Sequence, residues 1–145
     1  MIQRVQSIYL LLAGGSFFGT FLAPFAESSA PVPGTVLADS LFTPNDSTGM
    51  VVGFALAGVA AIAAIFLYAN RKLQINVSRV ALAAGLLAVA LGVLAFMQDG
   101  EAMGEVPVEG EVGGILPFVG AILTFLGIRN IRSDERLVRS ADRLR

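Results

Sequence analysis

Neither cysteine nor histidine occurs anywhere in the sequence. Without cysteine there is no disulfide framework, no thiolate nucleophile and no cysteine metal site. Without histidine as well, the commonest ligands for zinc, haem and iron-sulfur clusters are missing, and so is the commonest general base. Both absences argue against a redox or metallohydrolase role. No cofactor, metal site or catalytic residue is expected.

Charge is scarce too. Charged residues make up 14% of the chain, against about 25% in soluble domains. Apolar residues reach 55%, above the usual range of about 45–50%. A water-soluble domain of this size buries only about two-thirds of its chain surface, too little to hide so much apolar material. Lipid is the missing partner.

The scarcity is concentrated in four runs, residues 5–26, 50–69, 80–97 and 113–128, which hold no Asp, Glu, Lys, Arg or His. An ionisable residue inside a bilayer costs about 2.5–3.5 kcal/mol and usually marks a relay or binding site. Its absence argues against a proton-coupled pump or transporter. The first run resembles a signal peptide only superficially: it has the length of a span, about 20 residues, and its candidate cleavage site, Ser28-Ser29-Ala30, is followed at once by Pro31. An uncleaved span is expected. The fourth run is short, about 24 Å at helical rise, and is expected to extend past Arg129, whose side chain can snorkel to the interface.

What charge there is lies between these runs and alternates in sign. The ten basic residues are Arg4; Arg71, Lys72 and Arg79; and Arg129, Arg132, Arg136, Arg139, Arg143 and Arg145. Two further segments, 27–49 and 98–112, contain no basic residue, only Glu27, Asp39, Asp46, Asp99, Glu101, Glu105, Glu109 and Glu111. The net charge of -1 therefore conceals +7 on one face, ten basic residues less Asp134, Glu135 and Asp142, and -8 on the other. Basic loops stay cytoplasmic. The expected fold is an all-α membrane protein: one domain, 1–145, forming a four-transmembrane-helix antiparallel bundle with cytoplasmic N and C termini. External loops span 27–49 and 98–112, a ten-residue cytoplasmic connector 70–79, and a cytoplasmic tail 129–145.

Within the outer loops, Asn45-Asp46-Ser47-Thr48-Gly49 can cap the second helix. The segment after Glu105 alternates in character, but Pro107 removes a donor and no sheet is expected. The acids at 101, 105, 109 and 111 could in principle hold a divalent cation or do acid-base work. Gly100, Gly104 and Gly110 argue against a preorganised site, and a solvated acidic loop is the plainer expectation.

Small residues recur at three- and four-residue intervals in every run. The rows are Ala13, Ser16, Thr20, Ala23; Gly53, Ala57, Ala60, Ala64; Ala81, Gly85, Ala88, Gly92, Ala95; and Gly113, Pro117, Gly120, Thr124, Gly127. Such a row keeps to one helix face and lets another backbone approach closely. Gly53, Ala57, Gly85, Gly92, Gly120 and Gly127 are the expected helix-packing positions. The hydroxyls of Ser16, Thr20 and Thr124 are expected to bond within their own helices.

In the tail, Ser133 followed by Asp134 and Glu135 reads as the start of a short basic amphipathic helix. Glu135 and Arg139 form an i,i+4 pair in the preferred order. Such a helix can lie on an anionic leaflet. Arg71, Lys72, Arg79, Arg129, Arg132, Arg136, Arg139, Arg143 and Arg145 are the candidate contacts for anionic lipid or a protein partner. No nucleic acid is expected, since no nucleic-acid motif accompanies the charge.

Three cytoplasmic segments carry a family resemblance: the opening Met1-Ile2-Gln3-Arg4-Val5-Gln6-Ser7-Ile8-Tyr9-Leu10-Leu11-Leu12, the connector Asn70-Arg71-Lys72-Leu73-Gln74, and the closing Asp134-Glu135-Arg136-Leu137-Val138-Arg139-Ser140-Ala141-Asp142-Arg143-Leu144-Arg145. They resemble an uncharacterised four-span integral membrane family of Bacteroidota, catalogued only as a domain of unknown function. The resemblance implies a multi-pass location in the bacterial inner membrane and offers no activity or site residue to carry over. It also implies that the recurring surface is cytoplasmic.

The functional expectation is a non-enzymatic accessory or scaffold subunit, in contact with the bilayer and with a membrane or cytoplasmic protein. The alternative is an oligomeric channel or carrier for a neutral or lipidic solute.

Overall fold

The computed structural model describes residues 3–142, with side chains described over 5–137. Helices dominate it: α1 (Gln3–Gly19), α2 (Thr48–Phe66), α3 (Arg71–Gln98), the single turn α4 (Gly100–Met103) and α5 (Leu116–Asp142). Three stretches, Thr48–Phe66, Arg71–Gln98 and Val112–Leu137, are long and apolar enough to cross a membrane, and Val5–Gly19 is a shorter apolar helix. This is the build of a membrane protein. Apolar side chains such as Leu11 on α1, Val59 on α2, Leu87 and Leu94 on α3, and Ile122 and Phe125 on α5 stay half or more exposed. An apolar belt of that extent is foreign to a water-soluble surface.

The four long helices form an antiparallel bundle. α2 packs between α1 and α3, and α5 closes the ring against α1 and α3. Close approaches fix the direction of each pair: Gly14 meets Ile62 and Gly58 meets Phe18; Gly49 meets Leu91 and Gly53 meets Ala88; Gly120 meets Phe17 and Gly127 meets Leu10. In each pair one number rises as the other falls. The core divides into three levels. Phe17, Phe42, Met50 and Phe54 fill one end, Ala13, Ala60, Ala61 and Ala81 the middle, and Leu10, Ala64, Ile75, Ile128 and Ile131 the other end.

One element runs against the all-α expectation. The segments joining the helices at one end pair as a three-stranded antiparallel sheet in the order β2-β1-β3, built from β1 (Ala26–Ser28), β2 (Leu41–Phe42) and β3 (Val108–Gly110). Ala26 faces Phe42 on one side and Gly110 on the other. Pro107 does not prevent this pairing because it lies just before β3 and contributes its carbonyl, which accepts from the Ser29 N–H at 3.1 Å. A missing donor matters little at an edge.

Four boundaries also differ from expectation. α1 ends at Gly19, short of residue 26: the Phe21 and Leu22 amides bond back three residues rather than four, the Thr20 hydroxyl donates to the Phe17 carbonyl, and Pro24 bars further helix. The connector 70–79 is helical. Asn70 caps α3 by accepting from the Leu73 N–H at 3.1 Å, so α3 has 28 residues and is about 42 Å long, longer than a hydrocarbon core of about 30 Å. Ser47, although the N-cap of α2, makes no side-chain cap bond. The capping box lies earlier, between Thr43 and Asp46 around the turn Pro44–Asp46. Finally, the tail is no separate helix. No Gly or Pro follows Gly127, and α5 runs unbroken past Arg129 and Ser133 to Asp142.

Candidate functional site

Among the described residues, the basic candidates Arg71, Lys72, Arg79, Arg129, Arg132 and Arg136 converge at the end of the bundle opposite the sheet. α3 begins there and α5 finishes there, and because the two are antiparallel neighbours, the first turns of one lie beside the last turns of the other. Between them is a groove of about 540 Å³ lined by Lys72, Ile75, Asn76 and Arg79 of α3 and by Arg132, Glu135 and Arg136 of α5. Lys72, Asn76 and Arg79 follow at four- and three-residue intervals, and so share the side of α3 that faces α5. Arg132 and Arg136 are one turn apart on α5.

A second cavity, about 370 Å³, opens on the other flank of the same two arginines and is lined by Phe125, Ile128, Arg129, Arg132, Ser133 and Arg136. Positions 125, 129, 132 and 136 form one stripe down α5, from an exposed phenyl ring through three exposed guanidinium groups.

The remaining candidates fare differently. Arg71 is half-buried and donates from Nη1 to the Asp134 carbonyl at 3.5 Å, which ties the start of α3 to α5. The side chain of Arg139, together with Arg143 and Arg145, lies outside the described residues, as does any pairing of Arg139 with Glu135. Asn76, Ile75 and Phe125 were not singled out from the sequence, although Asn76 accepts from Arg79 Nη1 at 3.2 Å. A helical reading of 70–79 would have put Asn76 beside Lys72 and Arg79.

The electrostatics of the groove are lopsided. The first turn of α3 holds no acidic residue, yet it carries Arg71 and Lys72 where the helix dipole is already positive and disfavours cations. The arginines of α5 lie towards its C-terminal end, where the dipole favours them.

The packing candidates lie at close helix contacts. A β-carbon added at Gly53 would stand 2.7 Å from the Ala88 Cβ, at Gly92 2.7 Å from the Met50 sulfur, and at Gly127 3.2 Å from Leu10 Cδ2. Gly85 and Gly120 both face Phe17, and Ala57 is wholly buried. The hydroxyls of Ser16 and Thr124 donate to carbonyls four residues back.

At the sheet end a third cavity, about 280 Å³, is almost entirely apolar and is lined by Phe25, Phe42, Phe54, Phe96 and Phe118 together with small residues such as Gly92 and Gly114. Phe25 stacks edge-on against Phe42 and Phe54, with ring centroids 5.6 and 5.9 Å apart. The acidic residues at this end are partly structural. The Asp99 carboxylate accepts from the Val36 N–H at 2.8 Å, Asp46 from the Thr43 N–H at 2.6 Å, and Asp39 from the Leu41 N–H at 3.2 Å.

Comparison with known proteins brings one positive finding. The family described as Domain of unknown function (DUF4293) matches residues 2–144. No curated protein and no solved structure matches the chain.

Proposed function

The chain belongs to the DUF4293 family, a domain of unknown function, and on that footing we propose that it is a non-enzymatic accessory or scaffold subunit of the bacterial inner membrane. The observation that carries this reading is the cationic groove at one end of a bundle whose apolar runs, 5–26, 50–69, 80–97 and 113–128, hold no charge. A surface that gathers Lys72, Arg79, Arg132 and Arg136 on two rigid helices suits recognition, while uncharged spans offer nothing for proton or ion relay.

The basic end is cytoplasmic in this reading, with both termini inside and the acidic sheet outside, as loop charge directs. α1, 17 residues and about 26 Å long, serves as the fourth span. The absence of native cysteine makes the orientation easy to test. Ser29→Cys should react with a membrane-impermeant maleimide in intact cells, and Asn76→Cys only after lysis; the reverse pattern overturns the orientation. For the scaffold role, gentle solubilisation at native expression should recover a stoichiometric partner. Recovery of this chain alone counts against it.

The apolar cavity supports a second reading, a carrier for a lipidic solute. Its five phenyl rings form a slot suited to an alkyl chain. Phe17, Ala13 and Leu10 occupy successive levels of the bundle core, which disfavours an aqueous path through one copy. Flux of a lipidic solute in reconstituted vesicles would favour this alternative over the scaffold.

A further inference from the structure

We propose that the paired grooves beside α5 form a binding site for the headgroup of an anionic phospholipid carrying two phosphates. This rests on the membrane orientation given above and names the ligand class of the same basic end.

Two cavities share Arg132 and Arg136, one on each flank. Their cations are Lys72, Arg79, Arg129, Arg132 and Arg136 against the single carboxylate of Glu135, which leaves +4 across the pair. One phosphodiester would engage only one flank. Two phosphates, one in each cavity, bring all five cations into play and place Arg132 and Arg136 between them, where guanidinium forks can bond to both. The first groove, at about 540 Å³, has room for a headgroup rather than one ion, since a water molecule takes about 30 Å³.

The source of the phosphate follows from what lies beneath it. Phe125 and Ile128 line the second cavity below the arginines, and Phe125 is 56% exposed. A ligand charged at the top and apolar below matches this stripe at the depth where headgroups meet acyl chains, and basic pockets between membrane helices on the cytoplasmic side suit such headgroups. A soluble phosphate would leave the exposed ring of Phe125 without a role.

Native mass spectrometry of the full-length protein, incubated in detergent micelles with defined lipids, tests the proposal. Diphosphatidylglycerol should be retained about ten-fold better than phosphatidylglycerol at equal total charge. The Arg132→Gln/Arg136→Gln double variant should lose about thirty-fold of that retention, the effect of two surface cations at a lipid headgroup. Arg71→Gln, which removes a cation outside both cavities together with its bond to the Asp134 carbonyl, should lose far less retention than the groove variant. Lys72→Gln/Arg79→Gln, confined to exposed positions of α3, provides a second variant should the first fail to fold, and it should also weaken retention.

Equal retention of the two lipids per unit charge, or equal losses in the Arg71 and groove variants, would overturn the proposal in favour of diffuse attraction. Displacement of the lipid by millimolar inorganic pyrophosphate would overturn the lipid source in favour of a soluble phosphate. If lipid selectivity holds while no protein partner is recovered, the scaffold role fails and the site stands. If the partner is recovered without lipid selectivity, the site fails and the scaffold role stands.

Discussion

The ring of Phe17 in α1 fills the notch that Gly85 leaves on α3: a β-carbon at Gly85 would stand 2.5 Å from Phe17 Cε1 and 2.7 Å from Cζ. Gly120 of α5 meets the same ring, its added β-carbon 2.9 Å from Cε1. One buried phenylalanine therefore joins three helices, and both contacts depend on a missing side chain. Gly85→Leu should destabilise the bundle by roughly 1–3 kcal/mol through overpacking, and Phe17→Ala by about 3–5 kcal/mol through the cavity left behind. Thermal unfolding in detergent, followed by circular dichroism, measures both. Wild-type stability in Gly85→Leu would mean that α1 and α3 are not held at this distance.

That Phe17 fills these notches had no local signal, but the small face of α3 was legible in the sequence, because Ala81, Gly85, Ala88 and Gly92 repeat at a spacing that keeps to one face of a helix. The sheet was not. Its strands are two or three residues long, too short for alternation to register, and their pairing joins residue 26 to residues 42 and 110, which no local pattern encodes. The connector 70–79 looked like a loop because its charges broke the apolar period. Yet Gln74, Ile75 and Ser78 lie buried on one face of α3, while Lys72 and Arg79 extend outward. The basic groove needed one further step. Lys72 and Arg132 are distant in sequence, and only the antiparallel contact of α3 with α5 brings them to one cavity.

A different layer of the core holds two amides. Gln6 and Gln74 are 4% and 0% exposed, and three of their four amide N and O atoms, Gln6 Oε1 with Gln74 Nε2 and Oε1, have no hydrogen-bond partner among the described residues. α1 and α3 run parallel. Stepping down from Phe17 and Gly85 through Ala13 and Ala81, which share a core cluster, brings Gln6 and Gln74 to one level. A buried polar group without a partner costs about 1–3 kcal/mol. Gln74→Leu should therefore raise the unfolding temperature, and Gln6→Leu should add to the gain. A marked loss of stability in Gln74→Leu would show that the amide is engaged.

Asp99 ties the segment after α1 to the end of α3 through its bond to the Val36 N–H. Hydrogen bonds to a charged group contribute about 1.5–3 kcal/mol. Asp99→Ala should loosen residues 30–40 and lower stability within that range, whereas Asp99→Asn, which keeps a carbonyl acceptor, should lose less. Limited proteolysis from the sheet side provides the readout: faster cleavage near Val36 in the alanine variant is expected, and unchanged cleavage would assign the loop's order to Leu37 and its core contacts.

Glu27 and Glu109 stand directly opposite each other on β1 and β3. Like charges in facing positions of an antiparallel pair repel, and opposite charges attract, each effect amounting to roughly 0.2–1 kcal/mol. Both residues are exposed, so salt should screen the repulsion. Glu109→Lys should raise the unfolding temperature at low ionic strength, and Glu109→Gln should raise it less. Both gains should shrink as salt increases. A gain in Glu109→Lys that persists at molar salt would point to strand propensity or packing rather than charge. No gain at low salt would mean that solvent already screens the pair at the separation the sheet imposes. The same substitution places a cation in the acidic segment, so repeating the maleimide assay on Glu109→Lys measures whether one added positive charge beside the sheet disturbs the orientation proposed from loop charge.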